Sequence, residues 1–358
     1  MAILRRFLKS APWISPAWRE CYFRVRSLSP FLTSFVSSLL IKRKIERVAK
    51  GSSPVIVGPW LSEVGFEVLY WIPFLNWVTS QFSLSKNRVI VISRGGVASW
   101  YNDIGTNYVD VFDYLTPEEF KAQNAQRIAQ TGAQKQLILS DFDKDILQLV
   151  KQTLDIGDAA LLHPSLMYRL FMFFWQGQCS VDFLEKHIRF TSLVPLKPND
   201  PLKGLPNNYI AVKFYTSSSF PNTQDNRFFV SSLLQRLASQ MDVVMLNTNL
   251  KVDDHYDFAL DASARLFSIE DLITPQNNLG IQTRVICRAK AFIGTCGGLA
   301  WLAPMLGVNT IPIFSNDSRL QRHLDVAHRA FASIQCGSFV PLHVHDLDCL
   351  LRALQTRV

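Results

Sequence analysis

The segment Ala291-Phe292-Ile293-Gly294-Thr295-Cys296-Gly297-Gly298-Leu299-Ala300-Trp301-Leu302-Ala303-Pro304-Met305-Leu306-Gly307-Val308-Asn309-Thr310-Ile311-Pro312-Ile313-Phe314 reads as a strand, a glycine-bearing turn, a helix and a second strand. Phe292 and Ile293 supply a short buried strand. Gly294, Gly297 and Gly298 permit a tight turn and a close approach of backbone to ligand. Leu299 to Leu306 then makes a short apolar helix, and Gly307 stops it. A polar turn opening a helix offers unpaired N–H groups and a partial positive charge, which suit a phosphate or another anion. Thr295 adds a hydroxyl donor. The competing reading is a tight turn that binds nothing, because isolated glycine motifs are weak signals.

Working outward, the same alternation recurs. Tyr209 to Phe214 reads as a strand, Arg227 to Gln240 as a helix, Asp242 to Leu246 as a strand and Asn278 to Lys290 as a helix. In the first half, Val55-Ile56-Val57 and Arg88 to Ser93 are strands, with Val109 to Phe112 a shorter one. Pro117 to Gln130, Asp143 to Leu154 and Ser165 to Gln178 read as helices. Pro73 should kink or restart the helix that runs through Trp77. Alternation of this kind implies parallel sheets covered by helices. Pro195, Pro198, Pro201, Gly204 and Pro206 mark a linker between the halves. The expected architecture is α/β: two Rossmann-like domains facing a central cleft, at 51–200 and 205–335. A basic helical N-terminal arm occupies 1–50, and a C-terminal helix at 336–358 is placed to return to the N-terminal domain.

The length of 358 residues fits two domains, and 48% apolar content with 18% charge describes an ordered globular chain. Six scattered cysteines without a CxxC pair exclude a zinc ribbon and a disulfide scaffold, and fit a reducing compartment. The net charge of +8 is concentrated in residues 1–50, where eleven Lys and Arg face two Glu, so the remainder is nearly neutral. No nucleic-acid surface spread over the fold is implied, and only the basic arm is charged for anionic lipid headgroups or nucleic acid. The arm mixes those cations with Trp13, Trp18 and Phe23, a composition suited to an anionic membrane surface. Phe31 to Ile41 is too short to span a bilayer. A helix packed on the body and an organellar transit peptide are the alternatives. The expected location is the cytoplasm, with peripheral contact at the inner face of the plasma membrane.

Functional residues are expected at strand ends. Trp60, Glu63 and Glu67 follow the first strand, and the two carboxylates share a helix face. One of them is a candidate to meet a ligand, and a solvated pair at a helix start is the plainer account. Arg94 and Gly95 end the second strand, where an arginine can clamp an anion or a sugar hydroxyl. Lys213, placed for a diphosphate, is followed by Tyr215 and the run Ser217 to Ser219. Asp253, Asp254 and His255 suggest hydrogen bonds to a sugar or base, or a loop cap, more than a metal. Asn277 or Asn278 caps the next helix, which carries Gln282. His323 and His328 read as surface or packing residues. The chain has no GxxxxGK[ST] loop, no GxSxG elbow and no GxGxxG after the first strand, which argues against a P-loop nucleotidase, an α/β-hydrolase and a dinucleotide dehydrogenase.

Together, Gly58-Pro59-Trp60-Leu61-Ser62-Glu63-Val64-Gly65-Phe66-Glu67, Lys213-Phe214-Tyr215, Asp253-Asp254-His255 and Gly294-Thr295-Cys296-Gly297-Gly298 resemble a glycosyltransferase of the GT-B type. Within that type the set is similar to bacterial enzymes from surface-polysaccharide clusters, over about residues 51–330. The resemblance implies a nucleotide-sugar donor in the C-terminal domain, a glycan or lipid-linked acceptor in the N-terminal one, and no metal or other cofactor. It implies that Lys213, Tyr215, Asp254, His255, Gln282 and Gly294 to Gly298, including Thr295, Cys296 and Gly297, serve the donor. Trp60, Arg94 and Gly95 would serve the acceptor, with Glu63, then Glu67, as general base. An E-x(7)-E donor signature is absent, which leaves the stereochemistry open. A non-catalytic nucleotide- or glycan-binding protein and a UDP-sugar epimerase are the rival readings.

Overall fold

The computed structural model describes residues 38–193, 202–248, 250, 255–258, 264–347 and 349. Its N-terminal sheet contains β1 (Val55–Val57), β2 (Val89–Ser93), β3 (Asn107–Asp110) and β4 (Ala160–Leu162), all parallel, in the order β3-β2-β1-β4. The C-terminal sheet contains β5 (Tyr209–Lys213), β6 (Asp242–Met245), β7 (Leu266–Ser268), β8 (Ala291–Thr295), β9 (Asn309–Phe314) and β10 (Leu342–His343), in the order β7-β6-β5-β8-β9-β10. These are parallel too. The second order is that of a complete doubly wound sheet, and the first is its leading part. Each sheet therefore has a switch point, between β1 and β4 and between β5 and β8. Ligands of such sheets bind beyond the strand ends there.

Burial on both faces explains the strand sequences. Val55-Ile56-Val57 and Val89 to Ser93 are buried throughout, so they read as continuous apolar runs without alternation. Helix starts are set by side-chain caps. Thr116 with Glu119 and Ser140 with Asp143 form reciprocal capping boxes at Pro117–Thr131 and Asp141–Thr153. Gly132 closes the former in the left-handed region. The expected restart at Pro73 takes a specific form. A helical turn Val64–Phe66 leads into a π turn, Glu67–Trp71, and Pro73 lies in the first turn of the helix Ile72–Phe82.

The largest apolar core runs through both lobes without a break. Three seams join them. On the β2–β3 side, Gly280 N–H donates to Gly95 O at 2.8 Å, Gln276 Nε2 donates to Phe112 O at 2.8 Å, and Trp100 Nε1 donates to Thr283 Oγ1 at 3.0 Å. Beyond β1, Gly65 and Gly298 meet backbone to backbone: a Cβ on Gly65 would lie 3.4 Å from Gly298 N. On the β4 side, the helix Gln321–Ile334 reaches back to the N-terminal lobe. Arg322 Nη1 donates to Phe174 O at 2.7 Å, and Arg329 Nη1 contacts Asp182 at 2.6 Å and Glu185 at 3.0 Å.

Two features differ from the sequence reading, and a third, the docked helix of residues 38–50, is one of its alternatives. The strands β4, β7 and β10 were not foreseen; at two or three residues each they carry no periodicity. β10 lies beyond residue 335, so the C-terminal sheet extends into the segment expected to be a helix, and helix starts there only at residue 344. Residues 38–50 of the basic arm are a helix docked on the body. Ile41, Ile45 and Ala49 are buried, and Arg88 Nη1 donates to Ala49 O at 2.8 Å, near the helix's C-terminal end. The rest of the arm, and linker residues 194–201, lie outside the described residues. Among the described residues no helix is long and apolar enough to cross a membrane.

Candidate active site in the interlobe cleft

A cleft of about 1040 Å³ opens between the two sets of strand ends. The N-terminal lobe contributes Glu63 to Phe66 after β1, Arg94 and Gly95 at the end of β2, and the loop residues Gln134 and Lys135. The C-terminal lobe contributes Lys213 and Tyr215 to Ser219 after β5, His255 to Asp257, Asn278 with Gln282, Cys296 to Leu299 after β8, and Arg319 with His323 after β9. Both switch points thus face one cavity.

The turn after β8 is built differently from its expected form. Gly294 pairs within the sheet, opposite Lys213, and does not line the cleft. Thr295 is buried; its hydroxyl donates to Tyr215 O and accepts from Tyr215 N–H, each at 3.0 Å. Its role is to fasten two loops together, which corrects its assignment as a ligand donor. Cys296 N–H is committed to Ile313 O at 2.8 Å, and burial pushes its thiol well above the ordinary range. The ligand-facing part of the turn is Gly297 and Gly298, which open the helix Gly298–Met305. First-turn N–H groups have no partner within a helix. Gly297 is a glycine because the Tyr215 hydroxyl fills the place of a Cβ.

Lys213 also departs from expectation. Its ammonium is 2.7 Å from Asp257 Oδ1 and donates to Leu246 O at 2.8 Å, so its charge is largely met inside the protein. Asp257 accepts from Thr248 N–H as well, at 2.9 Å, and the pair ties the loops after β5 and β6. Tyr215 packs edge-on against His255, with centroids 4.9 Å apart, and both line the cleft. Asp253 and Asp254 lie outside the described residues. Gln282 is buried at the cleft wall; its Nε2 donates to Asn278 Oδ1 at 2.7 Å, and its Oε1 has no partner. Asn277 holds the N-cap position, yet its Oδ1 accepts from Thr274 N–H instead.

In the N-terminal lobe Glu63 lines the cleft, whereas Glu67 and Trp60 do not. Trp60 is fully buried, stacked on Trp71 and Tyr168 at 5.8 and 6.0 Å, so it belongs to the core and cannot touch an acceptor. Glu67, fully buried, lies off the cleft. There Ser93 and Tyr101 hydroxyls donate to Oε1 at 2.5 Å each, and Arg94 Nη1 stands 4.0 Å from Oε2. Burial lifts this carboxyl to about 7, against the pull of Arg94 and the two hydroxyls. Glu67 therefore braces Arg94 rather than reaching a substrate. Arg94 Nη2 is held by Ser62 O at 2.7 Å, and its Nη1 has no hydrogen bond.

Sequence reasoning passed over Lys135 and Arg319, and read His323 as a surface or packing residue. His323 is half-buried and shares a hydrogen bond with the Tyr70 phenol, 2.6 Å from Nδ1. Burial, with Lys135 nearby, lowers its pKa to about 4. Lys135 hangs over the Phe66 ring, 3.6 Å from its centroid. Neither carries a sequence signal: one stands alone on an amphipathic helix, and the other lies in an ordinary polar loop. Among the described residues no three His, Cys, Asp or Glu side chains converge as a metal site.

No protein-family model and no curated protein matches this chain. Several solved structures follow a similar course. The heptosyltransferase WaaC of E. coli with ADP is 12% identical, covering 84% of this chain and 99% of that one, with a TM-score of 0.38. The dodecameric iron-containing heptosyltransferase TibC from enterotoxigenic E. coli, in complex with ADP-D-beta-D-heptose, is 15% identical over 74% of this chain and 60% of that one, with a TM-score of 0.40. A UDP-N-acetylglucosamine 2-epimerase is 10% identical over 86% and 88%, with a TM-score of 0.34. At these scores the likeness is a loose one of chain course and says nothing of chemistry.

Proposed function

We propose that the protein is a glycosyltransferase that moves a sugar from a nucleotide-sugar to a hydroxyl of a glycan or lipid-linked acceptor. The observation that carries this reading is the placement of Glu63 and the Gly297-Gly298 turn on one cleft wall. Gly65, two residues beyond Glu63, abuts Gly298. A carboxylate and an anion-binding helix start therefore stand within one substrate's length of each other.

The chemistry follows from that pairing. The donor diphosphate is received by the N–H groups at the start of Gly298–Met305, where the helix dipole favours negative charge. The acceptor oxygen attacks the anomeric carbon as the bond from that carbon to the diphosphate breaks. The electron pair leaves with the nucleoside diphosphate, and the acceptor proton passes to Glu63. Preorganised donors stabilise the growing phosphate charge. Proton removal by a positioned carboxylate contributes roughly two to four orders of magnitude.

The test is Glu63→Gln, assayed for sugar transfer across a panel of nucleotide-sugars, with nucleoside-diphosphate affinity read by thermal shift. Turnover should fall by about a hundredfold or more while diphosphate affinity stays within about twofold. Undiminished transfer by the variant would remove Glu63 from the chemistry. Release of an altered nucleotide-sugar with no acceptor present would replace the transferase by an epimerase.

A further inference from the structure

Lys135 stands in the loop between the helices Pro117–Thr131 and Asp141–Thr153, and its side chain enters the cleft. Two aromatic rings seat its ammonium: Phe66, 3.6 Å away at the centroid, and Trp175, 5.1 Å away. The rings cover the apolar stem and attract the charge through their faces. They do not satisfy its N–H groups, of which an ammonium has three. Among the described residues that ammonium makes no hydrogen bond and no ion pair. Glu63 acts on it through space as the opposite charge. Partial burial draws its pKa down to about 8, and Glu63 opposes that fall. The residue is only partly buried, so its donors stay open to an acceptor that enters the cleft. The space its head faces is the cleft itself.

The neighbours narrow what that acceptor is. The C-terminal lobe turns the imidazole of His323 toward Lys135, held neutral near pH 7, and Arg319 lines the same cleft. On the N-terminal side Arg94 Nη1 faces Glu67 at 4.0 Å without a hydrogen bond among the described residues, and Arg94 grips the carbonyl of Ser62, the residue before Glu63. Lys135 is thus the cation that faces Glu63, and Arg94 lines the same cleft with its charge turned to Glu67.

We propose that Lys135 binds a negatively charged substrate oxygen, of a phosphate or a carboxylate, immediately beside Glu63. This rests on the reading of the cleft as a sugar-transfer site, and it adds a cation supplied by the acceptor lobe. The oxygen belongs either to the donor diphosphate or to an acidic group on the acceptor.

The experiment uses Lys135→Met, which keeps the stem on Phe66 and removes the charge, and Lys135→Arg, which keeps the charge. Calorimetric titration with inorganic pyrophosphate and with ADP, GDP and UDP reports the donor source. Transfer to neutral acceptors against phosphorylated or uronate-bearing ones reports the acceptor source. If the oxygen is the donor's, Lys135→Met weakens diphosphate binding by about tenfold or more, and Lys135→Arg recovers most of it. If it is the acceptor's, diphosphate affinity holds, while KM for acidic acceptors rises by about tenfold and neutral acceptors are unaffected. A Lys135→Met protein equal to wild type in both measurements, at an equal Tm, overturns the proposal and leaves Lys135 as a cap on the aromatic cluster. Wild-type protein that holds pyrophosphate through Lys135 yet transfers no sugar would sink the transferase reading alone. Sugar transfer indifferent to the ammonium would sink this one alone.

Discussion

The phenol of Tyr70, in the N-terminal lobe, and Nδ1 of His323, in the C-terminal lobe, share a hydrogen bond of 2.6 Å. Burial holds the imidazole neutral by lowering its pKa from 6.5 to about 4. The folded state therefore resists protonation that the unfolded chain accepts. The stability so gained is complete above pH 6.5 and is lost as the pH falls toward 4, on the order of 3 kcal/mol in all. His187, also buried and lowered to about 4, adds to the same window. Melting curves between pH 7.5 and 4.5 should show His323→Gln losing less stability than wild type. Parallel curves would contradict the account.

Glu67 runs in the opposite sense. Its carboxyl is raised from 4.5 to about 7, so the fold prefers it protonated. That preference stabilises below pH 4.5 and disappears as the pH rises through 7, again on the order of 3 kcal/mol. Glu67→Gln retains an acceptor for Ser93 and Tyr101 and cannot ionise. Its Tm relative to wild type should rise between pH 5 and pH 8. A difference that stays flat would mean the carboxyl is not desolvated as the structure shows.

Gly297 has no room for a methyl group because of the Tyr215 hydroxyl, and its φ of 167° is ordinary extended backbone. The cost of Gly297→Ala is therefore steric alone. Gly297→Ala should weaken nucleoside-diphosphate binding by about tenfold, and Tyr215→Phe in the same chain should restore much of it. Failure of the double variant to recover would place the strain elsewhere in the turn.

Lys213 and Asp257 form a half-buried pair between two loops of the C-terminal lobe. Lys213→Met leaves the carboxylate short of its main counter-charge and should cost about 1–3 kcal/mol, read by urea unfolding. Asp257→Asn should cost less, since the amide oxygen still accepts from Thr248 N–H. A larger loss of diphosphate binding than of stability in Lys213→Met would show that the ammonium turns to a ligand.

The fold was legible where long elements announced themselves. Val89 to Ser93 and Ala291 to Thr295 are apolar runs that only a doubly covered parallel sheet explains. The two-residue strand Leu342–His343 exists because β9 offers an edge, and the sequence holds no trace of that. At the cleft, Glu63, Arg94, Tyr215 and Gly297 stand after strands, where α/β sheets expose side chains. Glu67 leaves the face of Glu63 because Glu63 is the extended residue before the helix, so the four-residue helical spacing does not start there. Trp60 was misplaced because an aromatic beside a glycine reads alike whether it stacks on sugar or on Trp71. Lys135 and His323 owe their places to tertiary packing alone.

The seams on the β2–β3 and β4 sides flank the cleft, and the Gly65–Gly298 contact closes its floor. Fastened along both margins and the base, the described residues leave no free hinge line. Widening the groove on either margin would break Gln276–Phe112 and Trp100–Thr283, or else Tyr70–His323 and Arg322–Phe174. Guests must come and go through the mouth of a vessel of fixed depth. Its radius of gyration in solution should be the same with the groove empty or full.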